Sequence, residues 1–148
     1  MAYTGIDKST DHFNTILYTG NSGTNALTTG HASDFVWIKR RDGTYEHYLF
    51  DVLRGVTKEL NANSTAAEST VANSLTSFDS NGFTLGSDGQ SNTNSDTFLA
   101  WSWKGGGSSG ASNSDGSITS TVSANTTAGF SIVTHTGTGS TATIGHGS

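Results

Sequence analysis

The sequence contains no cysteine, no proline and no long apolar run. Without cysteine there is no disulfide, no thiolate metal site and no cysteine nucleophile. Without proline, the turns must be made by Gly, Asn and Asp. Spanning a membrane would need an apolar stretch of about 18 residues, so no membrane insertion is expected. No basic segment is followed by an apolar stretch near the start of the sequence, so no secretory signal is expected either.

Charge is also scarce, and the balance is acidic. Charged residues make up 13% of the 148 residues, the formal net charge is −5 and the pI is near 5.3. Nucleic-acid binding usually requires a clustered basic surface, so we expect no nucleic-acid partner. The short basic run at residues 39–41 has acidic neighbours at Asp42 and Glu46, which dilute it.

Small polar residues make up most of the chain instead. Ser, Thr, Asn and Gly together account for 76 of the 148 residues, and hydrophobic residues for only 32%. Three Trp, four Tyr and seven Phe argue against disorder, because disordered segments are usually poor in aromatic side chains. Clusters of β-branched and aromatic residues between turn residues are typical of short strands. The composition therefore predicts an all-β fold.

Six runs in the first 104 residues have the apolar or alternating pattern of strands. They are Phe13–Thr19, Asp34–Lys39, Tyr45–Phe50, Leu75–Phe78, Phe83–Leu85 and Thr97–Lys104. Asp42-Gly43 predicts a tight hairpin turn. In the last run, we expect the face that bears Trp101 and Trp103 to point into the core. Residues 66–73 have the pattern of a short helix. Short strands with aromatic cores predict a two-layer β-sandwich.

A run rich in glycine and serine divides the chain after Lys104. Every Lys and Arg lies at or before Lys104, and Asp115 is the only charged residue after it. We predict a β-sandwich domain at residues 1–104, a flexible linker at residues 105–112 and a C-terminal arm at residues 113–148.

The arm repeats part of the domain. Residues 13–20 (FNTILYTG) match residues 130–137 (FSIVTHTG), and both segments are followed by polar loops that reach a Gly-His pair, at His31 and at His146. We interpret the arm as the start of a second copy of the domain. Either the chain is part of a longer array, or the partial copy works without its remainder.

The arm contains two strand-like runs, at residues 117–122 and 130–136. These runs have too few apolar side chains to form a hydrophobic core alone. Strands rich in Thr, Ser, Val and Ile suit addition to an exposed sheet edge, where backbone hydrogen bonds supply most of the contact. We therefore predict that the arm docks on a neighbouring subunit or on the preceding domain. The candidate assembly residues are Ile118, Val122, Phe130 and Ile132.

Patterns for catalysis and metal binding are weak. The polar loop at residues 87–96 could wrap Ca²⁺, but it lacks the ordered spacing of an EF-hand, and Asx turns explain it better. The five His residues show no paired ligand spacing. Glycoside hydrolysis needs two carboxylates, and Glu46, near Asp42 or Asp51, is the best available candidate for the general acid. The better interpretation is that Glu46 is a charged residue on the solvated face of a strand. We predict no enzymatic activity, no metal and no cofactor.

Tyr45 and Tyr48 are the candidate ligand-contact residues, because an exposed aromatic ring can stack on a sugar. They fall on opposite faces of the predicted strand, so only one of them is expected to be exposed. For Trp37, Trp101 and Trp103, core packing is the better interpretation, because these residues lie in apolar strands.

Several stretches resemble repeat domains in virion proteins of tailed bacteriophages, especially marine phages, including tail-fibre proteins. The resemblance implies a concanavalin-A-like, jelly-roll sandwich that occurs in tandem copies. At Ala32-Ser33 the chain departs from related sequences, which often have a proline there. The matching stretches lie within residues 18–147 and are YTGNSGTNALTTGHASDFVWIKRR, HYLFDVLRGVTKELNANSTAAE, LTSFDSNGFTLGSD, FLAWSWKGGG and SDGSITSTVSANTTAGFSIVTHTGTGSTATIGHG.

The resemblance implies a structural protein of the phage virion, a fibre or appendage module used for assembly or host attachment in the extracellular particle. The implied partners are other copies of the chain, for example in a trimer, other virion proteins, or a host surface glycan. Two alternatives stay open: a capsid decoration protein, and a carbohydrate-binding or carbohydrate-cleaving module. The family offers no catalytic residues to carry over.

Overall fold

A computed structural model describes residues 6–107 and 110–148, and these residues confirm the predicted all-β sandwich. They contain no α-helix, and one short 3₁₀ helix at Ser9–Asp11 precedes the strands. The strands are β1 (Phe13–Thr19), β2 (Asn25–Thr28), β3 (Phe35–Arg40), β4 (His47–Asp51), β5 (Lys58–Asn61), β6 (Ser69–Thr70), β7 (Leu75–Asp79), β8 (Gly82–Leu85), β9 (Thr97–Trp103), β10 (Ala111–Asn113), β11 (Ser120–Asn125) and β12 (Phe130–His135).

The strands form three antiparallel sheets. The large sheet has the order β1-β9-β3-β4-β5-β6, the small sheet the order β2-β8-β7, and the arm sheet the order β10-β11-β12. Buried residues of the large and small sheets form one cluster, so these two sheets make the sandwich. In this core, Tyr18 stacks on Phe98 with ring centroids 5.1 Å apart, and Phe83 and Leu85 of the small sheet are fully buried. Each such side chain contributes about 1.5–3 kcal/mol by leaving water.

The Trp-bearing face of β9 does not form the core, so that prediction was wrong. Phe98 and Ala100 are fully buried between the sheets, whereas Trp101 and Trp103 are half-buried on the opposite face. Strand alternation separates two faces but does not say which of them points inward. The prediction placed the larger side chains in the core. In the structure these side chains lie on the other face, which a second layer, the arm sheet, partly covers.

Two local predictions also fail. Residues 66–73 form no helix; they include β6, which pairs with β5, because the ladder satisfies the backbone and Thr70 favours an extended conformation. Asp42-Gly43 does not form a tight hairpin, because β3 ends at Arg40, β4 begins only at His47, and Gly43 has no positive φ. Asp42 instead accepts a hydrogen bond from the backbone N–H of Thr97 at 2.7 Å, which ties this loop to β9.

The arm makes a sheet of its own rather than adding to an edge of the sandwich. The predicted run at 117–122 is displaced to β11, the run at 130–136 corresponds to β12, and β10 begins inside the predicted linker. Of the predicted domain at residues 1–104 and the predicted linker, residues 1–5 and 108–109 lie outside the described residues.

The glycines after Lys104 are not a free spacer. A Cβ atom on Gly106 would lie 2.5 Å from the carbonyl oxygen of Ala124, and a Cβ atom on Gly105 would lie 3.2 Å from the Cβ of Asp34. The contact at Gly106 is too short for any residue with a side chain, and the contact at Gly105 is tight enough that the neighbouring atoms would have to shift. The glycines therefore allow the arm sheet to approach the sandwich closely.

Candidate functional site

The face of the large sheet that points away from the small sheet carries a continuous set of mainly apolar side chains. In the register of the sheet, Trp101 lies between Thr15 and Trp37. The rings of Trp37 and Trp101 meet edge to face with centroids 5.5 Å apart. We call this surface the aromatic face, and its residues are Phe13, Thr15, Leu17, Phe35, Trp37, Leu49, Leu99, Trp101 and Trp103.

The arm sheet covers one end of the aromatic face through a single aromatic residue. Phe130 of β12 stacks on Trp103 with ring centroids 6.0 Å apart and meets Phe35 edge-on at 6.2 Å. Trp103 in turn contacts Phe13 at 4.8 Å. Ile132, two residues along β12, is also buried. The row Phe13–Trp103–Phe35 is therefore an internal interface between the sandwich and the arm.

Polar contacts fix the arm beside this aromatic contact. The side-chain amide of Asn125 lies 3.1 Å from Nδ1 of His12, and the backbone N–H of Gly107 donates to Oδ2 of Asp34 at 3.3 Å. Burial raises the pKa of Asp34, an effect that the backbone N–H groups of Gly105 and Gly107 partly oppose. Asp34 thus links the end of the glycine run to the start of β3.

The remainder of the aromatic face is open. Leu17 is 64% exposed, and Trp37 and Trp101 are half-buried. The indole N–H of Trp37 donates to Nδ1 of His47 at 3.2 Å, which holds the indole ring in place and puts the proton of a neutral His47 on Nε2. This surface combines fixed aromatic rings with apolar area, and it can bind a partner through apolar contact or ring stacking.

The two tyrosines chosen as ligand contacts lie in different environments. Tyr45 is 44% exposed, and the guanidinium carbon of Arg40 lies 4.3 Å from its ring centroid. Tyr48 is only 1% exposed, and its hydroxyl donates to Oε1 of Gln90 at 2.8 Å. Burial raises the pKa of Tyr48 to about 12. The choice of Tyr48 as a ligand contact is therefore wrong, because its ring belongs to the core.

The four candidate assembly residues all make contacts within the chain. Ile118 forms an isolated parallel bridge with Ile144, and Val122 is buried in the arm sheet. Phe130 and Ile132 pack against the sandwich, as described above. Of the two docking targets that the sequence left open, the preceding domain is the one that the arm contacts in this structure.

The carboxylates considered for catalysis are not arranged as a free pair. Asp42 forms an ion pair with Arg40 at 2.5 Å, and Asp51 is buried and paired with Arg54 at 2.5 Å. Glu46 is exposed in the loop before β4. Glycoside hydrolysis uses two carboxyl groups, and neither Asp42 nor Asp51 is free to act as the second one beside Glu46.

One buried carboxyl was not recognised from the sequence. Glu59 on β5 is 3% exposed, and its Oε2 has no hydrogen-bond partner among the described residues. Burial, with a smaller contribution from Asp88, raises the pKa of Glu59 to about 7. The sequence did not indicate that Glu59 is buried. Because β5 was not predicted as a strand, the face on which Glu59 lies could not be assigned.

The polar loop at residues 87–96 is held by its own hydrogen bonds. The carboxylate of Asp88 accepts from the backbone N–H groups of Gln90 and Ser91 at 3.1 Å each. The side chain of Asn92 is fully buried and donates to the carbonyl oxygens of Gly23 and Gly86. Within residues 6–107 and 110–148, no group of three or more His, Asp or Glu side chains could hold a metal ion.

His31 joins separate elements of the fold. It is buried, with Nδ1 2.9 Å from the carbonyl oxygen of Thr10 and Nε2 3.1 Å from the hydroxyl of Ser102. His146, which occupies the matching position of the repeat, is exposed. The sequence match between the two loops therefore does not extend to the environment of the histidine.

A family model matches residues 8–148, which is nearly the whole chain. The chain belongs to the family described as Domain of unknown function (DUF7483). The DUF7483 match includes both the sandwich and the arm sheet. No curated protein and no solved structure matches the chain. Across the part that the structure describes, this DUF7483 chain has no helix long and apolar enough to cross a membrane. The family description names no activity, so the phage resemblance stays a prediction.

Proposed function

We propose that the chain is a structural protein of a phage virion, a fibre or appendage module for assembly or host attachment. The resemblance of residues 18–147 to virion repeat domains supports this proposal. The observation that carries it is the open part of the aromatic face, where Leu17 is 64% exposed opposite Leu99, on the same face as Trp37 and Trp101. Contiguous exposed apolar surface on a soluble domain usually marks an interaction site.

The internal interface supports an assembly role for the same face. Phe130 of the arm sheet already packs on Trp103 and Phe35, at one end of the aromatic face. The face therefore accepts an apolar side chain from a β-sheet, and Trp37 and Trp101 continue the same surface beyond the arm. A neighbouring subunit would bury these residues in the way that the arm buries the first row.

Protein mass spectrometry of density-purified virus particles tests the proposal. Peptides from this chain should co-purify with the particles at a constant ratio to their other structural proteins. The supernatant of the same gradient is the control. Chemical cross-linking in intact particles then separates a fibre module, linked to tail proteins, from a capsid decoration protein, linked to the capsid shell. Absence of the chain from the particles would overturn the proposal.

A carbohydrate-binding module is the second candidate, and one observation favours it. Trp37 and Trp101 are half-buried on the open sheet face, and the hydrogen bond to His47 holds the ring of Trp37 in place. Fixed aromatic rings of this kind can stack on sugar rings.

Glycan-array binding tests this second candidate. If it is correct, Trp37→Ala and Trp101→Ala should each weaken binding at least about tenfold, as truncation of a central aromatic contact usually does. Tyr48→Phe is the matched control, because this ring is buried and should leave binding unchanged. Equal binding by all three variants would exclude the aromatic face as the glycan site.

A further inference from the structure

Two strands leave a long edge of a sheet without a ladder partner. β12 is the outer strand of the arm sheet and β1 is the outer strand of the large sheet. In residues 6–107 and 110–148, β12 pairs only with β11, and β1 pairs only with β9. Each therefore presents backbone N–H and C=O groups that another strand could pair with. On β1, two backbone groups are held by side chains: the Thr15 N–H donates to Oδ1 of Asn14 at 2.8 Å, and the Thr19 C=O accepts from the side-chain amide of Asn25 at 3.3 Å. A strand that pairs with β1 would displace these two asparagine side chains.

Neither of these edges has the features that normally block strand addition. β1 (FNTILYT) and β12 (FSIVTH) contain no proline, Lys, Arg, Asp or Glu. At the opposite ends of the same sheets, β6 has two residues and β10 has three, so those edges are short. Natural sheets protect their edges with charge, proline or short strands. β1 and β12 are therefore the two long, unprotected ends of the large sheet and the arm sheet.

A groove with a volume of about 500 Å³ runs along β12. All six residues of β12 line one wall, and Phe35, Asp51, Arg54 and Leu60 line the other. Successive side chains of a strand point to opposite faces, so a wall made of six consecutive residues presents the backbone edge of that strand. The groove thus offers backbone pairing on one side and side-chain contacts on the other, which is the arrangement that binds an extended segment.

The charge of the groove favours an uncharged occupant. Arg54 is the positively charged residue in the wall of the groove, and it forms ion pairs with Asp51 at 2.5 Å and with Glu68 at 3.4 Å. β12 itself carries no Asp, Glu, Lys or Arg. A strand with unpaired charges would gain no counter-ion in this groove and would lose hydration, so an uncharged strand fits better.

We infer that β1 of a second copy of the chain pairs with β12 in this groove, so that the arm sheet of one copy continues into the large sheet of the next. β1 has the required properties, because it is uncharged, has no strand along its outer edge among the described residues, and is similar in sequence to β12 itself. This contact also continues the internal interface, in which Phe130 already reaches Phe35 in the wall of the groove. The inference rests on the proposed assembly function and identifies its partner.

The pairing joins two different surfaces, one from each copy. Such a contact is head-to-tail, and each added copy leaves one open β1 edge and one open β12 edge at the ends of the chain of subunits. Unless the rotation between copies closes a ring, the result is an open filament. This geometry agrees with a fibre or appendage, and it differs from the self-complementary contact of a two-fold dimer.

Disulfide cross-linking tests the pairing, because the native chain has no cysteine. The full chain is prepared as Thr15→Cys, Ser131→Cys and Thr134→Cys variants, and the last two cover both faces of β12. The Thr15→Cys variant is mixed with each β12 variant in turn and mildly oxidised. With the β12 residue that lies on the same face as Thr15, the mixed dimer should exceed both self-dimers. A Ser131→Cys or Thr134→Cys self-dimer as the main product, or no cross-link with either partner, would overturn the β1–β12 pairing.

Edge-blocking variants give a second readout by sedimentation velocity over a concentration series. Thr134→Lys places a charge on β12, and Thr15→Lys places one on β1; each should weaken self-association at least about tenfold. Thr121→Lys is the matched control, because Thr121 pairs with Thr134 but lies on the central strand β11. Circular dichroism establishes that each variant is folded. A wild-type chain that stays monomeric, or a Thr134→Lys variant that associates as well as the control, overturns the pairing. Detection of the chain in particles would then leave the proposed function intact.

Discussion

At the scale of single residues, two buried polar side chains, one on β5 and one in the polar loop at residues 87–96, set measurable properties of the whole protein. Glu59 lies on the core side of β5 with one carboxylate oxygen unpartnered among the described residues. Asn92, by contrast, is fully buried and hydrogen-bonded on both its amide nitrogen and its amide oxygen. Burial of an unpaired carboxylate is unfavourable, whereas a buried amide with all its partners stabilises the fold.

Replacing Glu59 with Gln should flatten the pH dependence of stability. The pKa of Glu59 is about 7 in the folded protein, against an ordinary value of 4.5. The folded state therefore binds the proton more tightly, and stability falls as the pH rises from about 4.5 to about 7. Glu59→Gln should raise the free energy of unfolding by about 1–3 kcal/mol at pH 8 and leave it nearly unchanged at pH 4. Urea denaturation at a series of pH values measures both effects.

The exposed Glu46 provides the control for this experiment. Glu46→Gln removes the same charge from a solvated site, so its unfolding free energy should follow the wild-type curve at every pH. If the Glu59→Gln curve ran parallel to that of the wild type, the proton would not be taken up at Glu59.

Asn92→Ala should destabilise the protein by about 3 kcal/mol, because the carbonyl groups and N–H groups around it would lose their partners while still buried. The affected groups include the carbonyl oxygens of Gly23 and Gly86 and the backbone N–H of Asn21. Asn94→Ala is the matched control, since Asn94 is exposed in the same loop, and its effect should be within about 0.5 kcal/mol. Thermal unfolding with and without EDTA completes the test. A melting temperature that drops in EDTA for the wild type but not for Asn92→Ala would show that the effect of the substitution comes from a lost metal ion and not from lost hydrogen bonds.

At the scale of elements, the position of the arm sheet depends on glycine rather than on a side chain. The backbone of Gly106 lies against the backbone of Ala124 on β11, and a methyl group would come within 2.5 Å of the Ala124 carbonyl oxygen. β11 can lie this close to the segment that follows β9 only because the residue opposite Ala124 has no Cβ atom. The glycine run after β9 thus determines how closely the two layers approach.

Gly106→Ala should loosen this docking at a cost of about 1–3 kcal/mol, the usual range for forcing an extra methyl group into a packed site. Gly137→Ala is the matched control, because no atom lies within 4 Å of the added Cβ and the residue has no positive φ. Hydrogen exchange of the β11 and β12 amides should quicken in the first variant and remain unchanged in the second. Equal protection in both variants would mean that the close approach at Gly106 contributes nothing.

The elements show why the sequence predicted part of this fold and missed the rest. β1 and β9 were predicted within one residue, because long runs with strict alternation identify a strand and its two faces. Which face points inward depends on the neighbouring layer, so Trp101 was placed on the wrong side. β2 and β5 have four residues each and no aromatic residue, whereas the equally short β8 contains Phe83 and was predicted. The burial of Glu59 was missed together with β5. The close approach at Gly106 depends on contacts about twenty residues apart, which local patterns do not encode.

At the scale of the whole molecule, the sandwich and the arm sheet share one aromatic interface. Phe130 contacts Trp103 and Phe35, while Ile132 is buried beside Gly105. The arm has only a few buried apolar residues of its own, so most of its stability comes from this contact. We therefore expect the two parts to unfold in a single transition, with the emission of Trp103 changing together with the loss of the arm strands.

Phe130→Ala should break this coupling. Truncation of a fully buried Phe costs about 3–5 kcal/mol, and Phe130 is half-buried, so we expect about 2 kcal/mol. Tryptophan emission should shift to longer wavelength before unfolding, because Trp103 loses the ring that stacks on it at 6.0 Å. Val56→Ala, which truncates an exposed apolar residue in a loop, should change neither stability nor emission. If Phe130→Ala behaved like Val56→Ala, the arm would not be docked on the aromatic face in solution. That face would then be free along its whole length for another subunit.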